Sequence, residues 1–232
     1  MSEHDAPVSE QVDEQLDATT ATDEAPAPPE VSSLKLVLTL TIAGALAGLL
    51  LVVVDGLTAP AIAQYKKEQQ ELAATEVLGG AARLEKLVFS GGSLSVLPEG
   101  QAEPVGAAVL FRGYDEADAL VGYAMPGGKF GYADVIEIMV GYAPTTNTVL
   151  GMKVLATKET PGLGDAITKN EDYTSQFPGA VVPLVPTKGT ASGPSDVDTV
   201  TGATISTKAV VLGINDAVER FGPAIQELEA KP

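Results

Sequence analysis

The 232-residue sequence lacks cysteine altogether and contains one histidine, His4. Without cysteine the chain cannot form disulfides, thiolate-ligated iron–sulfur clusters or Cys-rich zinc sites, and it has no cysteine nucleophile. Because His4 lies in an acidic N-terminal segment, a folded site with a histidine general base, a Ser-His-Asp triad or a histidine-ligated haem is excluded as well. Any redox chemistry must therefore come from a bound organic cofactor.

Basic residues are also scarce, with 14 Lys and Arg against 31 Asp and Glu and a formal net charge of −17. This charge disfavours attraction to nucleic-acid phosphates, so we expect no nucleic-acid partner. The scattered acids, such as Asp115, Glu116 and Glu171, show no convincing metal-ligand spacing. We interpret them as solvated loop charges and expect no metal site.

The first 80 residues predict three segments. Residues 1–34 hold nine acids and no Lys or Arg, which predicts a disordered acidic tail. Residues 36–54 are 19 consecutive uncharged residues, roughly 28 Å as a helix, so we expect a transmembrane helix over 35–58. A cleaved signal peptide is the alternative, because small residues at 59–63 resemble a cleavage site. Residues 59–80 are rich in helix formers and predict a stalk helix that ends at a Gly-Gly pair.

The charges beside the span carry little information about its orientation. Lys35 precedes the span, whereas Lys66 and Lys67 follow it. The excess of one positive charge after the span leans towards placing the C-terminal domain in the cytoplasm.

Residues 81–232 predict a single α+β domain. Short β-branched and aromatic runs over 105–112, 119–124, 135–142 and 148–156 are divided by turn residues, which is typical of an antiparallel sheet. Residues 206–221 have apolar side chains near helical spacing and predict an amphipathic helix.

Residues 198–207 (DTVTGATIST) are the most informative stretch for function. A loop of small residues and hydroxyls runs directly into the predicted helix. The first N–H groups of a helix lack partners, so a phosphate held there would meet oriented donors and the positive end of the helix dipole. From spacing alone, an ordinary helix start is the alternative, with Thr204 or Ser206 as N-cap and Gly202 in the turn.

Two motifs in the sequence resemble those of a known family. Residues 198–204 (DTVTGAT) resemble the acceptor motif of flavin transferases, which move FMN from FAD onto the last threonine as a phosphoester. Residues 158–165 (KETPGLGD) resemble the segment beside the flavin in the G subunit of the Rnf electron transport complex and in the C subunit of the sodium-pumping quinone reductase. The resemblance covers about residues 34–222 and is closer to the Rnf G subunit, whereas the long acidic leader departs from the pattern.

The resemblance implies FMN attached covalently to Thr204. Thr201, Gly202 and Ala203 would then line the phosphate, because small residues let the backbone approach it. Asp198 would serve in recognition by the transferase rather than as a flavin ligand.

The second motif implies contacts with the flavin ring. Gly162 and Gly164 would fold the backbone against the ring with Leu163 as an apolar cover. Thr160 and Glu159 would supply polar contacts to the ring edge. A solvated loop charge is an equally good interpretation of Glu159.

The function that follows is a membrane-anchored flavoprotein subunit that relays electrons within a ferredoxin- and NAD-linked ion-translocating complex, with no catalytic residues of its own. The resemblance implies partner redox subunits, a flavin transferase for maturation, and a bacterial inner membrane with the flavin domain on the extracytoplasmic face. Alternatives are a C-type subunit of the sodium-pumping reductase, a free-standing anchored flavoprotein reductase, a flavin-binding regulatory protein, and an anchored interaction domain without cofactor.

Overall fold

The computed structural model describes residues 32–98, 100–104, 106–189 and 191–230. Most of the predicted acidic tail, and Val105 at the start of the first predicted strand, lie outside these ranges. The chain divides into two units, one that ends at Leu57 and one that begins at Thr58.

Helix α1 covers Ser33–Val77, and the predicted span forms its N-terminal part. All described side chains up to Leu57 are exposed, and most of them are large and apolar. Among the described residues this is the one helix that is long and apolar enough to cross a membrane. The helix ends at Val77, and Gly79 and Gly80 follow with φ angles of +68° and +82°. Glycine adopts such left-handed angles without a steric penalty, which explains why the helix stops there.

A six-stranded antiparallel sheet forms the centre of the second unit, in the order β2-β1-β3-β4-β5-β6. Its strands are β1 Arg83–Ser90, β2 Ser93–Val96, β3 Ala108–Tyr114, β4 Leu120–Phe130, β5 Val135–Ala143 and β6 Thr148–Ala156. The four strands expected from the sequence correspond to β3 to β6.

The chain after the sheet contains short elements and then one long helix. The short elements are helix α2 Ala166–Lys169, helix α3 Glu171–Thr174 and the parallel strand pair β7 Val185–Thr187 and β8 Asp196–Asp198. Helix α4 then covers Thr204–Glu229 and contains the predicted amphipathic helix. An antiparallel sheet with flanking helices confirms the predicted α+β class.

Helix α4 packs on one face of the sheet through Val210, Ile214 and Phe221, all of which are buried. Glycine permits the close contact: a Cβ on Gly127 would lie 3.0 Å from the backbone oxygen of Gly213. Since β4 carries Gly127, this packing holds α4 against the sheet at Gly213.

The other face of the sheet is covered by the last turns of α1. Ala74 and Val77 are buried in a cluster that includes Phe111 and Met139 of the sheet. A Cβ on Gly141 would lie 2.2 Å from the backbone oxygen of Val77, so the helix backbone lies directly on the sheet. The C-terminal end of the predicted stalk is therefore part of the core of the second unit.

Candidate functional site

The loop between β8 and α4 turns sharply into the helix. The N–H of Ala203 donates to the oxygen of Val200 at 3.0 Å, and Gly202 in this turn has a φ of +86°. Ala203 is the N-cap residue and has no side-chain cap, so Thr204 is the first residue of the helix. The alternative in which Thr204 or Ser206 caps the helix is wrong, and the first N–H groups point out of the helix without a side-chain acceptor.

Three hydroxyl groups around this turn donate hydrogen bonds within the protein, and they belong to Thr199, Ser206 and Thr207. Thr199 Oγ1 donates to a backbone oxygen of β7 at 2.9 Å. Ser206 Oγ donates to Glu159 Oε2 at 2.5 Å, and Thr207 Oγ1 donates to the oxygen of Ala203 at 3.0 Å. Because Ser206 and Thr207 are also buried, neither presents a hydroxyl to a ligand outside the protein.

Thr201 and Thr204 are different. Within the described ranges, neither side chain forms a hydrogen bond, and Thr201 is exposed while Thr204 is half-buried. Only Thr204 combines an uncommitted hydroxyl with a place in the first turn of α4. Its hydroxyl therefore lies at the positive end of the helix dipole, beside the first N–H groups of α4.

The loop over 160–166 lies beside this turn. The N–H of Leu163 donates to the oxygen of Thr160 at 3.1 Å, and Gly162 has a φ of +81°. The N–H of Gly162 donates to Asp165 Oδ1 at 2.8 Å. This tight turn leaves Leu163 56% exposed, and a Cβ on Gly202 would lie 3.9 Å from Leu163 Cδ2. The two sequence motifs therefore meet in the fold.

Glu159 is buried between these segments. Its carboxylate accepts hydrogen bonds from the N–H groups of Tyr132 at 2.8 Å and Ala133 at 3.0 Å, in addition to the Ser206 hydroxyl. Burial raises the pKa of Glu159, but the hydrogen bonds from Ser206 and from the backbone of 132–134 outweigh burial and lower the pKa below its ordinary value. The interpretation of Glu159 as a solvated loop charge is wrong, because the side chain is buried.

Asp198 points away from the turn and holds the loop after β7. Its carboxylate accepts hydrogen bonds from Thr187 Oγ1 at 2.6 Å and from the N–H of Ala191 at 2.8 Å. The backbone N–H of Asp198 donates to the side-chain oxygen of Gln176 at 2.6 Å. The residue borders a shallow cleft of about 420 Å³, and its carboxylate has no contact with Thr204 among the described residues.

Sequence reasoning gave no role to Ser206 beyond capping, and it did not connect Gly131 or Gly164 with Glu159. Both glycines lie against the Glu159 carboxylate, where a Cβ would approach to 2.4 Å and 2.5 Å of its oxygens. Gly164 within the second motif and Gly131 at the end of a glycine-rich stretch were the available signals, since glycine often marks a close approach of backbone to another group. The group that approaches could not be named from sequence.

Comparison with known proteins identifies the class of domain. Residues 131–219 match the family of FMN-binding domains, and this region includes both motifs and the start of α4. Two solved structures share the fold. NqrC of Shewanella oneidensis aligns over 73% of this chain and all of its own chain with a TM-score of 0.57 at 20% identity. The C subunit of the Na⁺-translocating NADH-quinone reductase of Parabacteroides distasonis aligns over 70% and 94% with a TM-score of 0.55 at 17% identity.

Relatives of similar length identify the family. The G subunit of the ion-translocating oxidoreductase complex of Methanosarcina acetivorans is 32% identical over 80% of this chain and 92% of its own length. The G subunit of the Na⁺-translocating ferredoxin:NAD⁺ oxidoreductase complex of Acetobacterium woodii is 28% identical over 81% and 90%. The chain belongs to the family of G subunits of ion-translocating oxidoreductase complexes, which confirms the resemblance drawn from its motifs.

Proposed function

We propose that this chain is a membrane-anchored flavoprotein subunit that relays electrons through FMN attached to Thr204 by a phosphoester. The observation that carries the proposal is the uncommitted Thr204 hydroxyl in the first turn of α4, inside a region that matches FMN-binding domains. The hydroxyls of the neighbouring Ser206 and Thr207 are buried and already donate hydrogen bonds. This difference supports Thr204 over its neighbours.

The described residues fit the phosphate of FMN. Once esterified, the phosphate keeps one negative charge, which the free N–H groups and dipole of α4 stabilise. Gly202, with a φ of +86°, and Ala203 keep side-chain bulk away from this position, and exposed Thr201 supplies a hydroxyl beside it. FMN provides the redox chemistry when bound, while the protein holds and orients it.

The ring of the flavin fits beside the 160–166 loop. Leu163 is 56% exposed next to Gly202 and offers an apolar surface that a ring would cover. Gly162 and Thr160 shape the turn that presents it. Contact between Glu159 and the ring edge stays a prediction, since three internal hydrogen bonds already occupy the carboxylate.

The partners follow from the relatives. The Acetobacterium woodii relative is named as a subunit of a complex that transfers electrons between ferredoxin and NAD⁺. We infer that this chain passes electrons between other redox subunits of such a complex and turns over no substrate by itself. The fold shared with C subunits of the sodium-pumping reductase makes that complex the second candidate. A flavin transferase is required for maturation in either case.

The location that we propose is the bacterial inner membrane, with one span in α1 and the flavin domain outside the cytoplasm. A covalent tether suits that side, because free flavin is scarce there and a non-covalent flavin is retained only while its concentration exceeds its dissociation constant. A protease-accessibility reporter fused after Pro232 tests the placement. Protection of the reporter in intact cells stripped of their outer envelope would contradict it.

Covalent attachment is tested by in-gel flavin fluorescence after denaturing electrophoresis of the full chain co-expressed with a flavin transferase. We expect a fluorescent wild-type band, a dark band for Thr204→Val, and a fluorescent band for the control Thr168→Val, which changes an exposed threonine outside both motifs. A dark wild-type band, or a fluorescent Thr204→Val band, would refute the attachment site.

A further inference from the structure

The carboxylate of Glu159 is the most completely enclosed acidic group that the described residues contain. Glu159 is only 7% exposed, and its carboxylate accepts hydrogen bonds from three separate donors. We propose that Glu159 is a positioning residue for flavin attachment, which holds the first turn of α4 through Ser206 so that Thr204 presents its hydroxyl to the transferase. This inference rests on the proposed function, because it concerns the same attachment reaction.

The hydrogen bonds of Glu159 join three segments that are distant in sequence. Oε1 accepts from the N–H groups of Tyr132 and Ala133, which follow β4. Oε2 accepts from Ser206 Oγ at 2.5 Å, two residues after Thr204. The carboxylate therefore links the end of β4, the 159–164 loop and the first turn of α4.

Two glycines show that this arrangement is built around the carboxylate. A Cβ on Gly131 would lie 2.4 Å from Oε1, and a Cβ on Gly164 would lie 2.5 Å from Oε2 and 3.0 Å from Ser206 Oγ. Any other residue at either position would push the carboxylate away from its donors. The backbone thus leaves space for one planar acceptor between the segment after β4, the 159–164 loop and α4.

The ionised state of Glu159 is the one that fits these partners. An ionised carboxylate has acceptors only, and all three neighbours are donors. The hydrogen bonds lower the pKa of Glu159, so the carboxylate is charged near neutral pH. Ser206 lies in the same turn as Thr204. Because its hydroxyl proton is donated to Glu159, the Ser206 hydroxyl is not available to compete with Thr204 as the group that receives FMN.

The reaction that this geometry serves is a transfer of FMN from FAD. The Thr204 oxygen forms a bond to the phosphorus on the FMN side of the FAD pyrophosphate, and the bond from that phosphorus to the bridging oxygen breaks. AMP leaves with the bridging oxygen, and the hydroxyl proton passes to a base of the transferase or to water. The hydrogen bonds that the Glu159 carboxylate forms among the described residues go to Tyr132, Ala133 and Ser206 and not to Thr204, so the contribution that we propose is to orientation.

Glu159→Gln tests the charge at constant size. The amide oxygen can still accept from the backbone N–H groups, but the amide NH₂ then faces Ser206 Oγ as a donor, which reverses that hydrogen bond. We expect the maximal rate of covalent FMN incorporation by the purified transferase, with full-length chain as acceptor and FAD as donor, to fall about tenfold. The KM for the acceptor chain should change little, because the surface of the protein is the same.

Ser206→Ala removes the other partner and tests the proposal even if Glu159→Gln does not fold. The same loss of maximal rate is expected, and the double variant should be no slower than either single variant, because both act through one hydrogen bond. Asp196→Asn is the matched control. Its carboxylate also accepts hydrogen bonds from one serine hydroxyl and from two backbone N–H groups, those of Ser192 and Gly193, but it lies at the start of β8.

The outcomes separate this inference from the proposed function. If the wild-type chain takes up FMN on Thr204, and folded Glu159→Gln or Ser206→Ala chain does so at the same rate, the positioning role is overturned. The attachment site is then unaffected. Wild-type chain that takes up no FMN refutes the proposed function itself. If Asp196→Asn lowers the rate of FMN incorporation as much as Glu159→Gln does, the loss reflects general destabilisation of the domain. That result would also overturn the positioning role.

Discussion

Gly164→Ala should destabilise the flavin domain through one identifiable clash. The new Cβ would lie 2.5 Å from Glu159 Oε2, 2.6 Å from Glu159 Cβ and 3.0 Å from Ser206 Oγ. Overpacking of this kind costs about 1–3 kcal/mol, and the loss of a hydrogen bond to a charged group costs about 1.5–3 kcal/mol. Because relaxation can spare part of either contribution, we expect the free energy of unfolding to fall by about 2–4 kcal/mol.

Thermal unfolding of the detergent-solubilised chain, followed by circular dichroism, measures this effect. For a domain of this size the expected loss lowers Tm by about 5–15 °C. Gly222→Ala is the matched control in α4: the nearest heavy atom to its Cβ would be Val218 Cγ1 at 3.7 Å. This control should raise stability by about 0.5–1 kcal/mol, since alanine is the better helix former. An unchanged Tm for Gly164→Ala would refute the assignment of a closed carboxylate site.

Three further predictions concern pH and packing. The folded-state pKa of Glu159 lies below its ordinary value of 4.5, so its stabilisation is fully present above that value and is lost as pH falls from there through the folded pKa. Tm should therefore fall less for Glu159→Gln than for wild type as the pH is lowered below about 4.5. Equal slopes would contradict this. Gly141→Ala, whose Cβ would lie 2.2 Å from the oxygen of Val77, should cost about 2 kcal/mol or more in thermal unfolding, and a wild-type Tm would show that α1 does not pack on the sheet as described. Tyr123→Phe removes a buried hydroxyl that donates to Glu229, so hydrogen exchange over 225–230 should accelerate as about 1–2 kcal/mol is lost; unchanged exchange would contradict this role.

Strand β6 could be predicted from sequence and the end of β4 could not. Residues 148–156 form a short run with β-branched residues, separated from the preceding strand by turn residues, and the structure has the same bounds. Residues 119–124 predicted a strand that stops before Pro126, Gly127 and Gly128, yet β4 continues to Phe130. Beyond Ala124 this strand pairs only with β5, so no β3 partner requires the missing N–H of proline.

The glycines in β4 are explained by tertiary packing rather than by local propensity. A Cβ on Gly127 would lie 3.0 Å from the backbone of α4, and a Cβ on Gly128 would lie 3.1 Å from the oxygen of Ile136. A sequence alone shows that glycine interrupts a strand pattern. For Gly127 it does not show which element approaches, because α4 begins more than seventy residues later in the chain.

The same distinction applies to the site. The motif over 198–204 predicts attachment at Thr204. The structure shows that the Thr204 hydroxyl forms no hydrogen bond among the described residues, while that of Ser206 donates to Glu159. The role of Glu159 could not be predicted, since its donors come from residues 27, 26 and 47 positions away in the chain. Hydrogen bonds over such separations depend on the complete fold.

The most direct test of the account is to locate the flavin by peptide mass spectrometry of the full chain after co-expression with a flavin transferase. Fragmentation of the peptide that contains residues 199–207 distinguishes its five hydroxyl-bearing residues. The account predicts the mass of FMN, joined through its phosphate, on Thr204 alone. FMN on Thr201, Ser206 or any other residue, or a peptide with no added mass from wild-type chain, would contradict it.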